Sequence, residues 1–168
     1  MKSYCICDMQ WEEKEILKDL LYEAIYQEDA CNPLPREVIN NPEILIYIDE
    51  WGRADDYCLL AKVEGKIVGG VWTRTWTGEV KGYGYIDDET PEISISLYQE
   101  YRNLGIGTML MREMVKKLKH HGYRSASLSV TKGNYAINMY QKAGFQPVVV
   151  REHDILMMIT LDKWDVDS

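Results

Sequence analysis

The middle of the chain carries its clearest hydrophobic pattern. Residues 92–97 read Glu-Ile-Ser-Ile-Ser-Leu, so polar and apolar side chains alternate with the period of two expected of a strand. From residue 106 onward the apolar side chains recur at helical spacing on one side of a helix: Ile106, Met109, Leu110, Met114 and Leu118. The pattern therefore predicts a strand, a glycine-containing turn, and an amphipathic helix that ends at Gly122.

The rest of the chain predicts a mixture of strands and helices in a single domain over residues 1–168. Apolar runs with strand character predict six further strands at 4–8, 57–63, 66–76, 123–130, 145–151 and 153–161. Helical spacing predicts three further helices at 12–28, 36–51 with an interruption at Asn41-Pro42, and 135–142. Residues 78–90 are rich in glycine, tyrosine and acidic side chains, and are predicted as a long loop of a length that usually signals function.

The turn between the central strand and helix has the composition of an anion site. Gly105 and Gly107 permit a tight turn and remove the Cβ atoms that would keep a ligand from the backbone. The unpaired N–H groups of the first helical turn and the helix dipole both favour a negative ligand, and a diphosphate suits them. A Walker A loop is excluded because Thr108 follows Gly107 where lysine is required, and a dinucleotide fingerprint is excluded by Leu110.

A second motif follows further along the chain. Residues 134–145 read NYAINMYQKAGF, which has the form N-x-A-x-x-x-Y-x-x-x-G-F. Together with the R-x-x-G-x-G pattern of residues 102–107, this motif resembles the GNAT superfamily of N-acetyltransferases. The resemblance covers roughly residues 57 to 161, whereas the N-terminal third matches only in its order of elements. Two motifs in this order indicate the family far more strongly than a lone G-x-G turn.

The resemblance implies an α/β fold, the GNAT fold, with a central mixed sheet flanked by helices. Two parallel strands, here 91–97 and 123–130, should splay apart. The implied cofactor is acetyl-coenzyme A, whose pantetheine arm pairs with the open strand edge in the manner of an added strand. The residues implied to bind it are Ile95, Leu97, Arg102, Asn103, Leu104, Gly105, Ile106, Gly107, Thr108 and Asn134. Arg102 would act mainly through loop geometry and charge, and Asn134 is equally suited to cap a helix.

Acetyl transfer to an amine requires a neutral nucleophile, a stabilised oxyanion and a proton for the leaving thiolate. An alkyl ammonium has a pKa of about 10, so a base or a water chain must take its proton at neutral pH. The resemblance implies Glu92 as the base, Tyr140 as the acid, and the Leu97 N–H as the oxyanion donor. The alternatives are a solvated Glu92 with residues 87–89 or water as the base, and a Tyr140 that only packs.

The acceptor is predicted only by chemical class. In this family the first helices and the loop before the central strand form the acceptor wall, which here implies Tyr26, Trp72, Trp76, Tyr83, Tyr85 and Asp87. Aromatic rings beside carboxylates suit a small cationic amine. The alternative is that the tryptophans pack together and the acidic cluster is a solvated turn. A protein amino terminus or lysine as acceptor, and a module that binds acetyl-coenzyme A without turnover, also remain open.

Composition narrows the class of partner. The 168 residues include 27 acidic and 19 basic side chains, giving a formal net charge of −8, which disfavours nucleic acid and suits a cationic ligand. The sequence has neither an apolar run long enough to span a membrane nor a signal-peptide pattern, so we expect a cytoplasmic protein. We expect it to be a monomer or a homodimer. The four cysteines have no C-x-x-C spacing and no histidine at ligand distance, so neither a disulfide nor a metal site is predicted.

Overall fold

The computed structural model describes residues 2–165, and its centre is one sheet of seven strands in the order β1-β2-β3-β4-β5-β7-β6. The strands are β1 Tyr4–Asp8, β2 Tyr57–Val63, β3 Lys66–Arg74, β4 Glu92–Leu97, β5 Ser125–Thr131, β6 Gln146–Val150 and β7 Asp154–Thr160. Neighbouring strands are antiparallel, except that β4 and β5 run parallel. The predicted mixed sheet is confirmed, and each of the predicted strands is found.

The hairpin of β2 and β3 shows how local sequence sets strand register. Glu64 and Gly65, which connect the two strands, have φ angles of 51° and 79°. Two successive positive φ angles are typical of a type I′ turn, whose twist matches that of the strands it joins. The strands therefore pair along most of their length, from Val63 opposite Lys66 to Tyr57 opposite Thr73.

The helices are α1 Ile16–Ala24, α2 Pro42–Leu45, α3 Ile106–His120 and α4 Ala136–Ala143, and 3-10 turns occupy Trp11–Glu13, Arg36–Asn40 and Gln99–Tyr101. The helix predicted over 12–28 is wrong in extent, because Ile25 adopts an extended ψ of 117°. The region 36–51 divides at Asn41, whose side chain accepts the Glu43 N–H at 3.1 Å and caps α2. Within residues 2–165, no helix combines the length and the apolar character that crossing a bilayer requires.

Two apolar cores lie on opposite faces of the sheet. The first core, under α3 and α4, includes the fully buried Leu110 and Met114. The second core, under α1 and α2, includes Leu20 and Trp72. β4 alternates between the faces, because Ile93 belongs to the first core whereas the Ser96 hydroxyl donates to the Leu20 carbonyl of α1 at 2.7 Å. Glu92, an even number of residues from Ser96, therefore faces the α1 side.

Gly69 of β3 has no room for a side chain. A Cβ at this position would lie 2.7 Å from the carbonyl oxygen of Ser96 and closer still to Leu97 Cδ2. Because β4 would have to shift, Gly69→Ala should lower the free energy of unfolding by about 1 to 3 kcal/mol. Urea unfolding followed by circular dichroism measures this change. Gly78→Ala is the matched control, since nothing lies within 4 Å of a Cβ there; equal stability of the two variants would contradict the prediction.

Candidate active site

The parallel strands β4 and β5 separate soon after they begin. Among the described residues, Glu92 opposite Ser127 is the one register pair between them. The Ser127 N–H donates to the Pro91 carbonyl at 2.9 Å at the same end. Beyond this point the strands diverge, so the gap between them leaves part of the β4 edge without a partner strand.

Backbone direction identifies the residues that line this gap. The Tyr98 N–H donates to the carbonyl of Val68 in β3 at 3.0 Å. The backbone groups of Tyr98 therefore face β3, on the side away from the gap. Successive residues of a strand direct their N–H and C=O groups to opposite sides. Ile95 and Leu97 therefore direct theirs toward β5, into the gap, at the positions predicted for the pantetheine arm.

The Arg102 side chain binds one of these backbone groups, the carbonyl of Leu97. Its Nε donates to the Leu97 carbonyl at 3.0 Å, and its Nη2 pairs with Glu23 of α1 at 3.2 Å. The guanidinium thus lies between the end of β4 and α1 and fixes the geometry of the turn. Glu23 neutralises part of the Arg102 charge, and the contribution of that charge near a diphosphate stays a prediction. The Leu97 N–H still faces the gap.

The turn before α3 has the backbone conformation that its sequence permits. Asn103 and Gly105 have φ angles of 60° and 85°, both in the left-handed region, and Gly105 is the N-cap of the 15-residue α3. The first turn of α3 contains no acidic side chain. A Cβ on Gly107 would lie 3.3 Å from Met139 Sδ, so this position is also closely approached by α4. The exposed N–H groups here suit an anion.

The other residues of the predicted cofactor site differ in what they expose. Leu104 and Thr108 are exposed, whereas the Ile106 side chain is buried in the first core and leaves only its backbone to a ligand. The Asn134 side-chain oxygen accepts the Ala136 N–H at 3.0 Å. Asn134 therefore binds a backbone N–H at the start of α4, although the N-cap position of this helix is Tyr135.

Tyr140 of α4 is 9% exposed, and its ring packs against Phe145 with centroids 6.3 Å apart and an interplanar angle of 64°. Burial raises the pKa of its phenol to about 12. At neutral pH the hydroxyl is therefore protonated and able to donate a hydrogen bond. The packing role is observed, and it is compatible with proton donation from the hydroxyl at the far end of the ring.

Glu92 is 3% exposed, so the alternative of a solvated strand-end carboxylate is wrong. Its Oε1 accepts the Gly84 N–H at 2.5 Å. Burial raises the pKa of Glu92 to about 7, while the Tyr47 hydroxyl, the Gly84 N–H, the Trp76 indole and the charge of Arg151 act in the opposite direction. A carboxyl group with this pKa exchanges its proton near neutral pH, as a general base at physiological pH must.

Residues 82–84, here called the covering segment, lie over the Glu92 carboxylate. A Cβ on Gly82 or Gly84 would lie 2.6 Å from Glu92 Oε1, so only glycines let the backbone come this close. The Ser127 hydroxyl donates to the Gly84 carbonyl at 2.6 Å, which ties the segment to β5. The loop predicted over 78–90 therefore shields Glu92 from direct contact with solvent.

The family model described as "Acetyltransferase (GNAT) family" matches residues 21–145, which include both motifs, the gap and Glu92. This chain belongs to the GNAT family of acetyltransferases. The family resemblance drawn from the two motifs is confirmed.

Among related GNAT proteins, the chain is 34% identical over 98 residues to an N-alpha-acetyltransferase of Sulfurisphaera tokodaii, a match that covers 56% of this chain and 59% of the relative. It is 29% identical over 111 residues to an N-alpha-acetyltransferase of Sulfolobus acidocaldarius, with 64% of each chain covered. A ribosomal protein bS18-alanine N-acetyltransferase of Haemophilus influenzae is 30% identical over 66 residues, or 39% of this chain and 45% of that one. The matches thus span less than two thirds of each relative.

Solved structures share the GNAT fold over nearly the whole chain. The PaiA N-acetyltransferase of Thermoplasma acidophilum, in complex with coenzyme A, has a TM-score of 0.65 at 21% identity, covering 94% of this chain and 99% of that one. YncA of Salmonella typhimurium, with its cofactor acetyl-CoA, has a TM-score of 0.70 at 14% identity, covering 97% and 96%. At these identities the likeness establishes the fold.

The structure corrects the predicted acceptor wall of this GNAT protein at two positions. Trp72 is 1% exposed and packs in the second core. Trp76 is 3% exposed and packs edge-on against Tyr47, with ring centroids 5.3 Å apart. Side chains enclosed by protein do not line an open wall, so both tryptophans have the packing role that was the alternative.

The acidic residues of the predicted wall bind groups of their own loop. The Asp88 carboxylate accepts the Tyr85 hydroxyl at 2.7 Å and Lys81 Nζ at 3.2 Å. Asp87 Oδ1 accepts the Glu89 N–H at 2.9 Å within a turn. Since Lys81 partly neutralises the cluster, its attraction for a cationic acceptor is weaker than the sequence suggests. Tyr85 is therefore held by a partner within the loop, whereas Asp87 is exposed and its place in an acceptor wall stays a prediction.

Two tyrosines of the predicted wall are accessible: Tyr83 is exposed and Tyr26 is partly exposed. Tyr83 is 53% exposed, and its hydroxyl donates to Glu43 of α2 at 3.0 Å. The Tyr26 hydroxyl lies 3.4 Å from the Gly133 carbonyl, so it links the end of α1 to the loop after β5. These two tyrosines remain candidates for contact with an acceptor.

Two residues near Glu92 were missed by sequence reasoning. The Tyr47 hydroxyl faces the carboxylate and accepts the Tyr83 N–H at 2.8 Å. Arg151 donates from Nη2 to the Tyr83 carbonyl at 2.5 Å, so the covering segment is held from both sides. Neither residue lies in a recognisable motif. The one available signal is that Glu43 and Tyr47, four residues apart, share a helical face.

Glu92→Gln should stabilise the protein at high pH. Folding raises the pKa of this acid from 4.5 to about 7, so the folded state binds its proton more tightly than the unfolded chain and stability falls as pH rises through this range. At about 1.4 kcal/mol per pKa unit, the variant should gain up to about 3 kcal/mol above pH 7 and little below pH 4. Chemical unfolding across this range measures the gain, with the exposed Glu89→Gln as the control. A gain that does not change with pH would contradict the raised pKa.

Proposed function

We propose that this protein transfers the acetyl group of acetyl-coenzyme A to a primary amine by direct attack in a ternary complex. The observation that carries the proposal is the splayed gap between β4 and β5. The glycine turn lies at one end of the gap and the buried Glu92 at the other, so one strand connects an anion site to a base. Such a gap holds an extended ligand that is anionic at one end and reactive at the other.

The residues fit acetyl-coenzyme A at this place. The N–H groups from Asn103 to Thr108 would hold its diphosphate, and the edge of β4 at Ile95 and Leu97 would pair with its pantetheine arm. The bound thioester supplies the activated acetyl group. The Leu97 N–H would then donate to the thioester oxygen, where negative charge develops during attack.

Glu92 is the proposed base. The amine approaches from the α1 face, which Glu92 shares with Ser96, and its nitrogen attacks the thioester carbon. Because the covering segment lies over the carboxylate, the ammonium proton reaches Glu92 through intervening hydrogen-bonding groups rather than by direct contact. With a pKa of about 7, it is ionised and able to do so as pH rises above neutrality.

Tyr140 is the proposed donor to the departing sulfur. The bond from the carbonyl carbon to sulfur breaks, and its electron pair leaves on the thiolate. The Tyr140 pKa of about 12 exceeds the thiol value of about 8.5, so complete proton transfer is uphill. Tyr140 therefore acts mainly by donating a hydrogen bond to the sulfur, and the thiolate takes its proton from solvent as it leaves.

The first candidate acceptor is a small cationic amine. The net charge of −8 attracts cations over long range, and the exposed Tyr83 beside Glu43 offers a ring and a carboxylate together. A protein amino terminus is the second candidate. It is favoured by three relatives whose names describe N-alpha-acetyltransferases or ribosomal-protein alanine acetylation.

Gly107→Val should weaken the binding of acetyl-coenzyme A at least about tenfold, because branched side-chain atoms would crowd the turn that receives the diphosphate. Isothermal titration calorimetry measures the affinity, and circular dichroism checks that the variant is folded. Gly78→Val in the exposed loop, where a Cβ meets nothing within 4 Å, is the matched control. Unchanged affinity in a folded Gly107→Val protein would overturn the cofactor site.

Thiol release from acetyl-coenzyme A should depend on an amine and on Tyr140. A panel of polyamines, amino acids and peptides with free amino termini should contain at least one acceptor, with intersecting initial-rate plots. Tyr140→Phe keeps the ring and should slow turnover by roughly ten- to ten-thousand-fold with little change in cofactor affinity. Salt should raise KM for a cationic acceptor. If the enzyme prefers peptides and salt does not change KM, a protein amino terminus is the acceptor. If the protein binds acetyl-coenzyme A but releases no thiol with any amine, it is a binding module without turnover.

A further inference from the structure

Arg74 and Glu92 lie directly opposite each other on β3 and β4. Their side chains therefore point to the same face of the sheet, and both are buried, at 1% and 3% exposure. Opposite charges in this cross-strand arrangement ordinarily stabilise a sheet by pairing, since their Cβ atoms lie only about 5 Å apart. Arg74 is therefore the positively charged residue of β3 that lies nearest to Glu92.

The Arg74 guanidinium is instead held by other groups. Nε and Nη2 donate to the two carboxylate oxygens of Asp56 at 3.0 and 2.8 Å. Nη1 donates to the carbonyls of Ile46 and Asp49, both at 2.7 Å. Four hydrogen bonds therefore direct the arginine toward the turn after α2, in a bidentate geometry that is among the strongest an arginine makes.

Asp56 is itself fixed in place. Its Oδ2 accepts the N–H groups of Gly52 and Arg53, both at 3.0 Å. The side chains of Asp56 and Arg74 are each 1% exposed. A buried aspartate with two backbone donors and a bidentate arginine has little freedom to release its partner.

The remaining groups that face Glu92 come from three other elements. They are the Tyr47 hydroxyl after α2, the Trp76 indole and Gly84 N–H in the loop, and the charge of Arg151 before β7. Arg151 is itself paired with Asp154, at 2.7 Å. If Asp56 released Arg74, the guanidinium could turn toward Glu92 and add a positive charge beside its carboxylate, from the neighbouring strand β3.

We propose that Asp56 is a positioning residue for the base: by holding the Arg74 guanidinium, it leaves the Glu92 carboxylate to Gly84 and Tyr47 and keeps it able to accept a proton. This inference rests on the proposed function, which makes Glu92 the base. An arginine that paired with Glu92 would lower the pKa of the carboxyl group by about 1 to 3 units and weaken it as a base.

The test is the titration of Glu92 in Asp56→Asn, which keeps the shape of the side chain and removes its charge. Carbon-13 NMR of glutamate-labelled protein follows the carboxyl group directly, and Glu92→Gln identifies its signal. The midpoint should fall by about 1 to 3 pH units, and the acid limb of kcat/KM should move with it. Asp55→Asn, the same charge change one residue away, should leave both unchanged.

The double variant Asp56→Asn/Arg74→Gln distinguishes positioning from a structural role. With no arginine to move, its midpoint should return to that of the wild type, whereas general loosening of the site would leave it shifted. An unchanged midpoint in folded Asp56→Asn would overturn the proposal.

If Asp56→Asn does not fold, the Arg74→Gln variant decides. The proposal requires that its Glu92 midpoint equal that of the wild type, and a raised midpoint would contradict the proposal. A shifted midpoint in a protein that acetylates no amine would uphold the positioning and overturn the proposed function.

Discussion

The separation of β4 from β5 is the constraint on which the rest of the site depends. A parallel pair that continued along both strands would satisfy the backbone groups of Ile95 and Leu97 with hydrogen bonds to β5 and leave no edge for a ligand. The pair instead closes at Glu92 and Ser127, and the strands then diverge. α3 begins at the far end of the same strand. The proposed anion site and the proposed base are therefore separated by the length of one strand.

The closed end of the pair also determines the environment of Glu92. The Ser127 hydroxyl binds the Gly84 carbonyl, and the Gly84 N–H binds the Glu92 carboxylate, so one residue of the covering segment connects both strands. This arrangement removes water from a carboxyl group that is ionised in the unfolded chain at neutral pH, and burial of this kind opposes folding. The same desolvation raises the pKa of Glu92 into the range useful for proton transfer, so stability and the proposed chemistry conflict at this residue.

Much of the charge around the site is bound internally. Lys81 neutralises part of the Asp88 carboxylate, Arg151 pairs with Asp154, and Arg74 pairs with Asp56. A sequence count of acidic residues before β4 overstates the field that an acceptor would meet, because Lys81 in the same loop and Arg74 on β3 neutralise part of it. Of the predicted wall residues, Tyr83 and Asp87 are exposed and Tyr26 is partly exposed, so one ring and one carboxylate of the predicted wall still face solvent.

The sequence by itself determined the order of the strands along the chain, the glycine turn before α3 and the family. Each of these depends on local backbone preference: alternation along residues 92–97, positive φ at Glu64 and Gly65 or at Gly105, and apolar spacing along α3. The lengths of α1 and α2 were less predictable, because helix ends depend on packing as well as on composition. The tertiary structure alone decided that Trp72 and Trp76 are buried, that Tyr47 and Arg151 act on Glu92, and that Asp56 holds Arg74. These outcomes depend on desolvation and on charges brought together from distant parts of the chain, and hydrophobic periodicity carries no information about either.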